Sequence, residues 1–304
     1  QQIDFRFTQP KFLGRDLRAG FDLFHTRYDL SEYSSYDYRS TGGGLRLSYP
    51  LNGYSSFSVR YFLKSDEVII PSGYCNGTGS SALCDQAGEF LNSSAGYTLL
   101  VNRTNDPVRP PRGWSASLRQ ASAGIGGDVN YLKTEADAAW YYGFSPNWIV
   151  SLQGSTGYVS GWNGDPIRIN DRFFKGGNTF RGFETAGMGA RDLTTTDALG
   201  GNFYAIGTIE LTVPNYLPDE SGIKTPLFAD GGTLGMLDDR YKIDTVTGLP
   251  NPNIVDDLSL RAAAGVSIHW RSPMGPIRFD LSKVLSKEDY DKTETFRFST
   301  STQF

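Results

Sequence analysis

The chain has 304 residues, of which only 38% are hydrophobic, yet it carries 19 phenylalanines, 17 tyrosines and 35 glycines. Its formal net charge of −4, with the 29 basic residues scattered rather than clustered, argues against a nucleic-acid surface. No apolar run reaches the roughly 18 residues of a transmembrane helix, which leaves open a barrel that spans with about 9–11 alternating residues per strand.

The chain opens on Gln1-Gln2-Ile3-Asp4-Phe5, without the basic start and apolar core of a signal peptide, so processing or truncation is expected to have removed what came first. From there the period is two rather than 3.6 in segment after segment. Residues 2–9, 15–29, 36–49 and 54–70 read as the first strands, with Pro50-Leu51-Asn52-Gly53 as a short turn. The stretch 71–88 is rich in Gly, Ser and Asn and holds the two cysteines, Cys75 and Cys84. They read either as a disulfide stapling one loop in an oxidising compartment or as two free thiols.

Strands follow at 89–103, 114–123, 128–144 and 147–160, the last two joined through Ser145-Pro146-Asn147. Ala136, Ala138, Trp140, Tyr142 and Phe144 share one face, opposite Glu135, Asp137 and Tyr141. A long polar connection, 161–199, precedes a strand at 200–213 with Ile209, Leu211 and Val213 on one side and Tyr204, Thr208 and Glu210 on the other. The remaining strands are 224–235, 257–271, 275–285 and 294–304, and in the last Phe296, Phe298 and Phe304 share one parity. About thirteen strands result, in one domain over residues 1–304 with no internal linker. Short turns alternate with long polar loops (71–88, 161–199 and 236–256), the habit of outer-membrane barrels. The expected fold is therefore all-β, a transmembrane antiparallel β-barrel. Bacterial barrels are normally even-stranded, so an odd count predicts missing N-terminal strands or a miscount.

Catalytic and metal chemistry find little support. His25 and His269 lie in separate strands, away from the cysteines, and assemble neither a zinc site nor a triad. The Gly124-Ile125-Gly126-Gly127 run and the glycines of 176–189 precede no helical pattern, so they read as loop glycines rather than phosphate cradles. Asp238-Asp239 and Asp256-Asp257 lack calcium-loop spacing and read as solvated loop acids. No cofactor or metal is expected.

The exception is the Gly-rich stretch Gly176 to Asp192, centred on Phe180-Arg181-Gly182-Phe183. Two acids of lumen parity follow it: Glu210 in one strand, and Asp230 in the next, within Phe228-Ala229-Asp230-Gly231-Gly232. A guanidinium binds such a carboxylate through two parallel hydrogen bonds, fixing a loop in place and orientation. The loop is thus expected to fold into the lumen and hold Arg181 against the wall.

On these residues the chain resembles the outer-membrane protein assembly superfamily. That family's loop signature, an aliphatic or aromatic residue followed by Arg-Gly-Phe or Arg-Gly-Tyr, is matched by Phe180-Arg181-Gly182-Phe183. Its second signature, Phe-x-Asp-x-Gly, is matched by Phe228, Asp230 and Gly232. The resemblance implies that Arg181 engages Asp230 inside the barrel with Glu210 close by. Arg271-Ser272-Pro273-Met274-Gly275-Pro276 looks like the family's turn before the penultimate strand. Phe296, Phe298, Ser301 and Phe304 would then belong to the strand at a lateral seam, with Ser301 where some relatives have a kink-permitting glycine. The resemblance further implies a roughly 16-stranded barrel in the bacterial outer membrane, preceded by POTRA domains that, with about three strands, this chain lacks. The implied role is folding and inserting client barrels, with no catalysis. The implied partners are outer-membrane lipid, unfolded β-barrel clients, and periplasmic assembly lipoproteins and chaperones. A secretion transporter or a porin-like channel is the alternative, since such transporters share the arginine loop. A barrel enzyme is disfavoured, because no nucleophile has a paired histidine.

Overall fold

The two-residue period becomes a wall of antiparallel strands in the computed structural model, which describes residues 1–76, 79–106, 111–145, 147–218, 221–243, 248–272 and 275–300. The wall begins with β1 (Gln2–Gln9), β2 (Arg18–Asp29), β3 (Asp37–Asn52), β4 (Ser55–Ile69) and β5 (Gly88–Asn102). It continues through β6 (Arg112–Ala123), β7 (Tyr131–Ser145) and β8 (Trp148–Gly161). After the long connection come β9 (Ala190–Asp192), β10 (Ala198–Gly200), β11 (Phe203–Val213) and β12 (Ile223–Gly235). The chain then forms β13 (Ile254–Val255), β14 (Arg261–Ser272), β15 (Gly275–Ser286) and β16 (Phe296–Thr300). Among the described residues, thirteen of these strands pair in the order β1-β2-β3-β4-β5-β6-β7-β8-β11-β12-β14-β15-β16.

Every wall strand falls where alternation predicts one, with ends shifted by a few residues. One expected turn is tighter: β3 continues through Pro50 and Leu51 to Asn52, leaving only Gly53 and Tyr54 before β4. A register shift between Pro50 and Asn52 absorbs the proline, which cannot donate to a ladder. Pro146, Pro273, Met274, Ser301 and Phe304 lie outside the described residues. The remaining strands form a separate sheet, β10-β9-β13, within the loops. With two or three residues each, they are too short to alternate visibly.

The distribution of polarity settles the fold class. Ile209, Leu227, Val266, Ile268, Phe296 and Phe298 point outward and are well exposed. On the opposite parity of the same wall, Asp230, Arg261, Ser267 and Asp280 are buried. A water-soluble domain does the reverse. Apolar outside and charged inside is the arrangement of a transmembrane β-barrel, whose strands satisfy all backbone groups with their neighbours.

The inside is filled by the β8–β11 connection. Phe180, Phe183, Ile167, Phe173 and Met188 from this loop pack against Val159, Tyr204, Leu234 and Ala263 of the wall. At the long-loop rim a second apolar cluster joins Tyr36, Val68, Leu83, Ile169, Leu199, Leu237 and Tyr241. The helical turn α1 (Ser81–Cys84) belongs to it, held by a disulfide between Cys75 and Cys84 with Cα atoms 5.8 Å apart.

Candidate functional site: an arginine clamp on the inward loop

The chain turns inward at Phe180-Arg181-Gly182-Phe183 because its glycines permit it. Gly182 has φ +86°, and a Cβ there would stand 2.9 Å from the Ala263 side chain and 3.1 Å from Val284. Only a residue without a side chain lets the loop backbone lie this close to β14 and β15. Phe180 and Phe183 meet edge to face, with ring centres 5.2 Å apart, and fill the space on either side of the arginine.

Arg181 is 4% exposed and fully engaged. Its Nε donates to Asp230 Oδ2 at 2.7 Å and its Nη2 to Asp230 Oδ1 at 2.6 Å, the bidentate fork. Nη1 donates to Glu210 Oε1 at 2.5 Å, and the backbone N–H of Arg181 also reaches Asp230 Oδ2 at 3.2 Å. The guanidinium carbon lies 3.6 Å from the centre of the Phe228 ring. Burial pulls the guanidinium's pKa down, but hydrogen bonds and charge from Asp230 and Glu210 outweigh it, so its pKa is raised. A buried carboxylate without its cation would be stranded, so truncating either partner costs about 3–5 kcal/mol.

The wall supplies further supports, of which only Gly232 belongs to a motif. Thr208 Oγ1 donates to Asp230 Oδ1 at 2.8 Å, sharing the inward parity of Glu210. Ser267 Oγ donates to Asp280 and stands 3.5 Å from Arg181 Nη1. Gly265 keeps room for the Phe228 ring, whose Cζ would be 2.8 Å from a Cβ there. Gly232 plays a similar part beside β11: a Cβ would meet Ala205 O at 2.5 Å.

The loop is also stitched to the β15–β16 connection by backbone bonds. Glu184 N–H donates to Lys292 O at 3.1 Å, Lys292 N–H to Gly187 O at 2.9 Å, and Glu294 N–H to Gly182 O at 3.0 Å. On β16 itself, Arg297 Nη2 donates to Thr185 Oγ1 at 2.9 Å. A second clamp, Arg261 with Asp291 at 3.0 Å, is wholly buried and anchors this connection to β14.

Other sequence candidates fall elsewhere. Phe296 and Phe298 face outward beside Phe279, away from the clamp. His25 bonds Thr41 on the outer face of the wall, and His269 sits on the inward parity of β14, far apart in strand order. Among the described residues no group of acids, histidines and cysteines is arranged to hold a metal. One expectation needs correcting: Asp256 is not a solvated loop acid. Its carboxylate accepts from Leu237 N–H at 2.7 Å and pairs with Lys242 at 2.8 Å, because the β12–β14 connection folds back over the rim.

An outward-apolar wall with a loop pinned inside by an arginine defines a membrane β-barrel of the lumen-plugged kind. The chain, matched over residues 1–304, belongs to the Omp85 superfamily. It is 29% identical over 301 residues to the outer membrane protein assembly factor BamA of Neorickettsia risticii, covering 98% of this chain and 38% of that protein. Thus it spans about two fifths of that relative's length. The crystal structure of BamA from Haemophilus ducreyi lacking POTRA domains 1–3 superposes with a TM-score of 0.83 at 21% identity, covering 98% of this chain and 61% of that one. CdiB from Acinetobacter baumannii follows at 0.56 and 14% identity, covering 97% and 48%. The chain is a barrel of the bacterial outer membrane.

Proposed function

We propose that this chain is the membrane barrel of an outer-membrane protein assembly factor, which helps client β-barrels fold and insert through a seam beside β16, without covalent chemistry. The observation carrying this reading is the Arg181 clamp in a chain of this superfamily. A loop held by Asp230, Glu210 and Phe228 is fixed in place and orientation, and it is tied to the hairpin that bears β16. Among the described residues β16 has one ladder partner, β15, over five residue pairs from Ile277↔Thr300 to Leu281↔Phe296. On this reading the seam lies beside β16, where backbone N–H and C=O groups freed by its opening would pair with a client strand. The similarity to assembly factors along nearly the whole chain supports the role. On this reading further wall strands and POTRA domains lie in sequence beyond this chain, and the partners are outer-membrane lipid, unfolded clients and periplasmic lipoproteins and chaperones. A secretion pore is the second reading, since such transporters share the arginine loop and CdiB has a like fold.

The test is Arg181→Ala in the full-length protein, assayed for client insertion in liposomes. Insertion should drop while a folded, heat-modifiable barrel persists. Should that variant not fold, Glu210→Gln keeps the Asp230 fork and should still slow insertion. Unchanged client insertion in a folded Arg181→Ala barrel sinks the reading.

A further inference from the structure

The outward face of the wall carries arginines at both of its margins, and the two margins treat them differently. Toward the long loops, Arg27 has the parity of Leu23, and Arg39 that of Leu45. Each is neutralised by an acid of the neighbouring strand: Arg27 Nη2 lies 2.9 Å from Asp37, and Arg39 Nη1 2.8 Å from Glu67. Toward the short turns, Arg103 continues the outward parity of Leu99 and Val101, and Arg112 has that of Trp114. The Arg103 side chain makes no hydrogen bond or ion pair among the described residues. That of Arg112 donates to a carbonyl rather than an acid, with Nη2 3.1 Å and Nε 3.3 Å from Gly143 O.

Both guanidiniums are nevertheless held. Arg103 N–H donates to Trp114 O at 2.8 Å, which sets the two residues opposite one another at the ends of β5 and β6. Gly113, at φ +116°, allows this approach, since a Cβ there would collide with Arg103 O. The guanidinium carbon of Arg103 lies 4.1 Å from the centre of the Tyr54 ring and 5.9 Å from that of Trp114. That of Arg112 lies 5.6 Å from the centre of the Tyr142 ring, which in turn stacks on Trp140 at 5.8 Å. All four rings and both arginines are exposed. A cation over an aromatic face gains from the ring while its N–H groups stay available to an acceptor.

Depth and charge together select the ligand. Trp and Tyr gather where lipid headgroups meet water, so these arginines stand at headgroup level. Two guanidiniums without a carboxylate repel cations and suit a phosphate, which a guanidinium can grip with two parallel hydrogen bonds. Leu118 and Trp140, on the same outward face, offer an apolar track to acyl chains. We propose that Arg103 and Arg112, with Tyr54, Trp114 and Tyr142, bind the phosphate headgroup of an anionic phospholipid in the leaflet on the short-turn side, the periplasmic one. The surface is separate from the Arg181 clamp and independent of the proposed assembly role.

The experiment uses full-length protein in nanodiscs of phosphatidylcholine with a minor fraction of phosphatidylglycerol, and native mass spectrometry counts the lipid retained. Wild-type protein should keep phosphatidylglycerol over phosphatidylcholine, whose own ammonium offsets its phosphate. Arg103→Gln should lower that retention about fivefold, the effect of one basic residue at an anionic membrane surface. Arg39→Gln, at the opposite margin, changes the net charge equally and should leave retention unchanged. Equal retention by a heat-modifiable Arg103→Gln barrel overturns the proposal, as does an equal loss in Arg39→Gln. A wild type indifferent to headgroup overturns it too, the result expected if a protein segment covers these arginines instead. Full displacement of the lipid by free glycerol phosphate overturns the lipid source. If Arg103→Gln does not fold, Arg112→Gln replaces it, and unchanged retention there also overturns the proposal.

Discussion

Two of the three arginines that the inward loop buries, Arg172 and Arg181, each 4% exposed, are satisfied in opposite ways. Arg181 takes two carboxylates from neighbouring wall strands. Arg172, at the rim, takes no acid: its Nε and Nη2 donate to Ile167 O at 3.1 and 3.0 Å, its Nη1 to Leu199 O at 3.0 Å, and it lies over the Tyr241 ring. Burial accordingly lowers the pKa of Arg172, while that of Arg181 is raised. The first arrangement locks loop to wall; the second locks loops to one another. The two therefore differ in which part of the molecule fails when they are cut.

The largest effect should come from Asp230→Ala, which removes the bidentate fork and leaves a buried guanidinium with Glu210 as its one carboxylate. Barrel stability should fall by about 3–5 kcal/mol, read as a lower urea midpoint for loss of the folded, fast-migrating species on gels. The double variant Arg181→Ala with Asp230→Ala should lose less than the sum of the single changes. Arg172→Met comes next. It leaves two buried carbonyls without donors, at about 1–3 kcal/mol each, but the damage should stay at the rim. Limited proteolysis should then cut the long loops several times faster while the urea midpoint of the wall moves little. An equal shift of wall stability in both arginine variants would remove the distinction between them. The smallest is Thr208→Val, which deletes one neutral donor to Asp230 and should cost about 0.5–1.5 kcal/mol in the same urea measurement.

How much could be read from residues alone follows the same division. Asp230 and Glu210 were legible because a strand's period of two assigns each side chain a face, and the wall keeps that period almost everywhere. Arg172 was not legible, because carbonyl partners belong to every residue and leave no trace in sequence. The same holds for the backbone bonds from Gly182, Glu184 and Gly187 to residues 292–294, and for the three small strands of the rim. The Arg261–Asp291 pair joins residues 30 positions apart across a loop whose path no local pattern dictates. Pro50 looked like the centre of a turn, yet a slip in register lets β3 carry it.

The stitching between residues 182–187 and 292–294 makes the last hairpin and the plug mechanically one body. Peeling β16 from β15 would break more than the five cross-strand pairs described between them: it would drag on a segment whose far end is bolted to Asp230. Whatever loosens the bolt also lowers the resistance to that separation. The clamp at Asp230 is thus coupled to β16 through the loop it holds, by the backbone bonds to residues 292–294 and by Arg297 with Thr185.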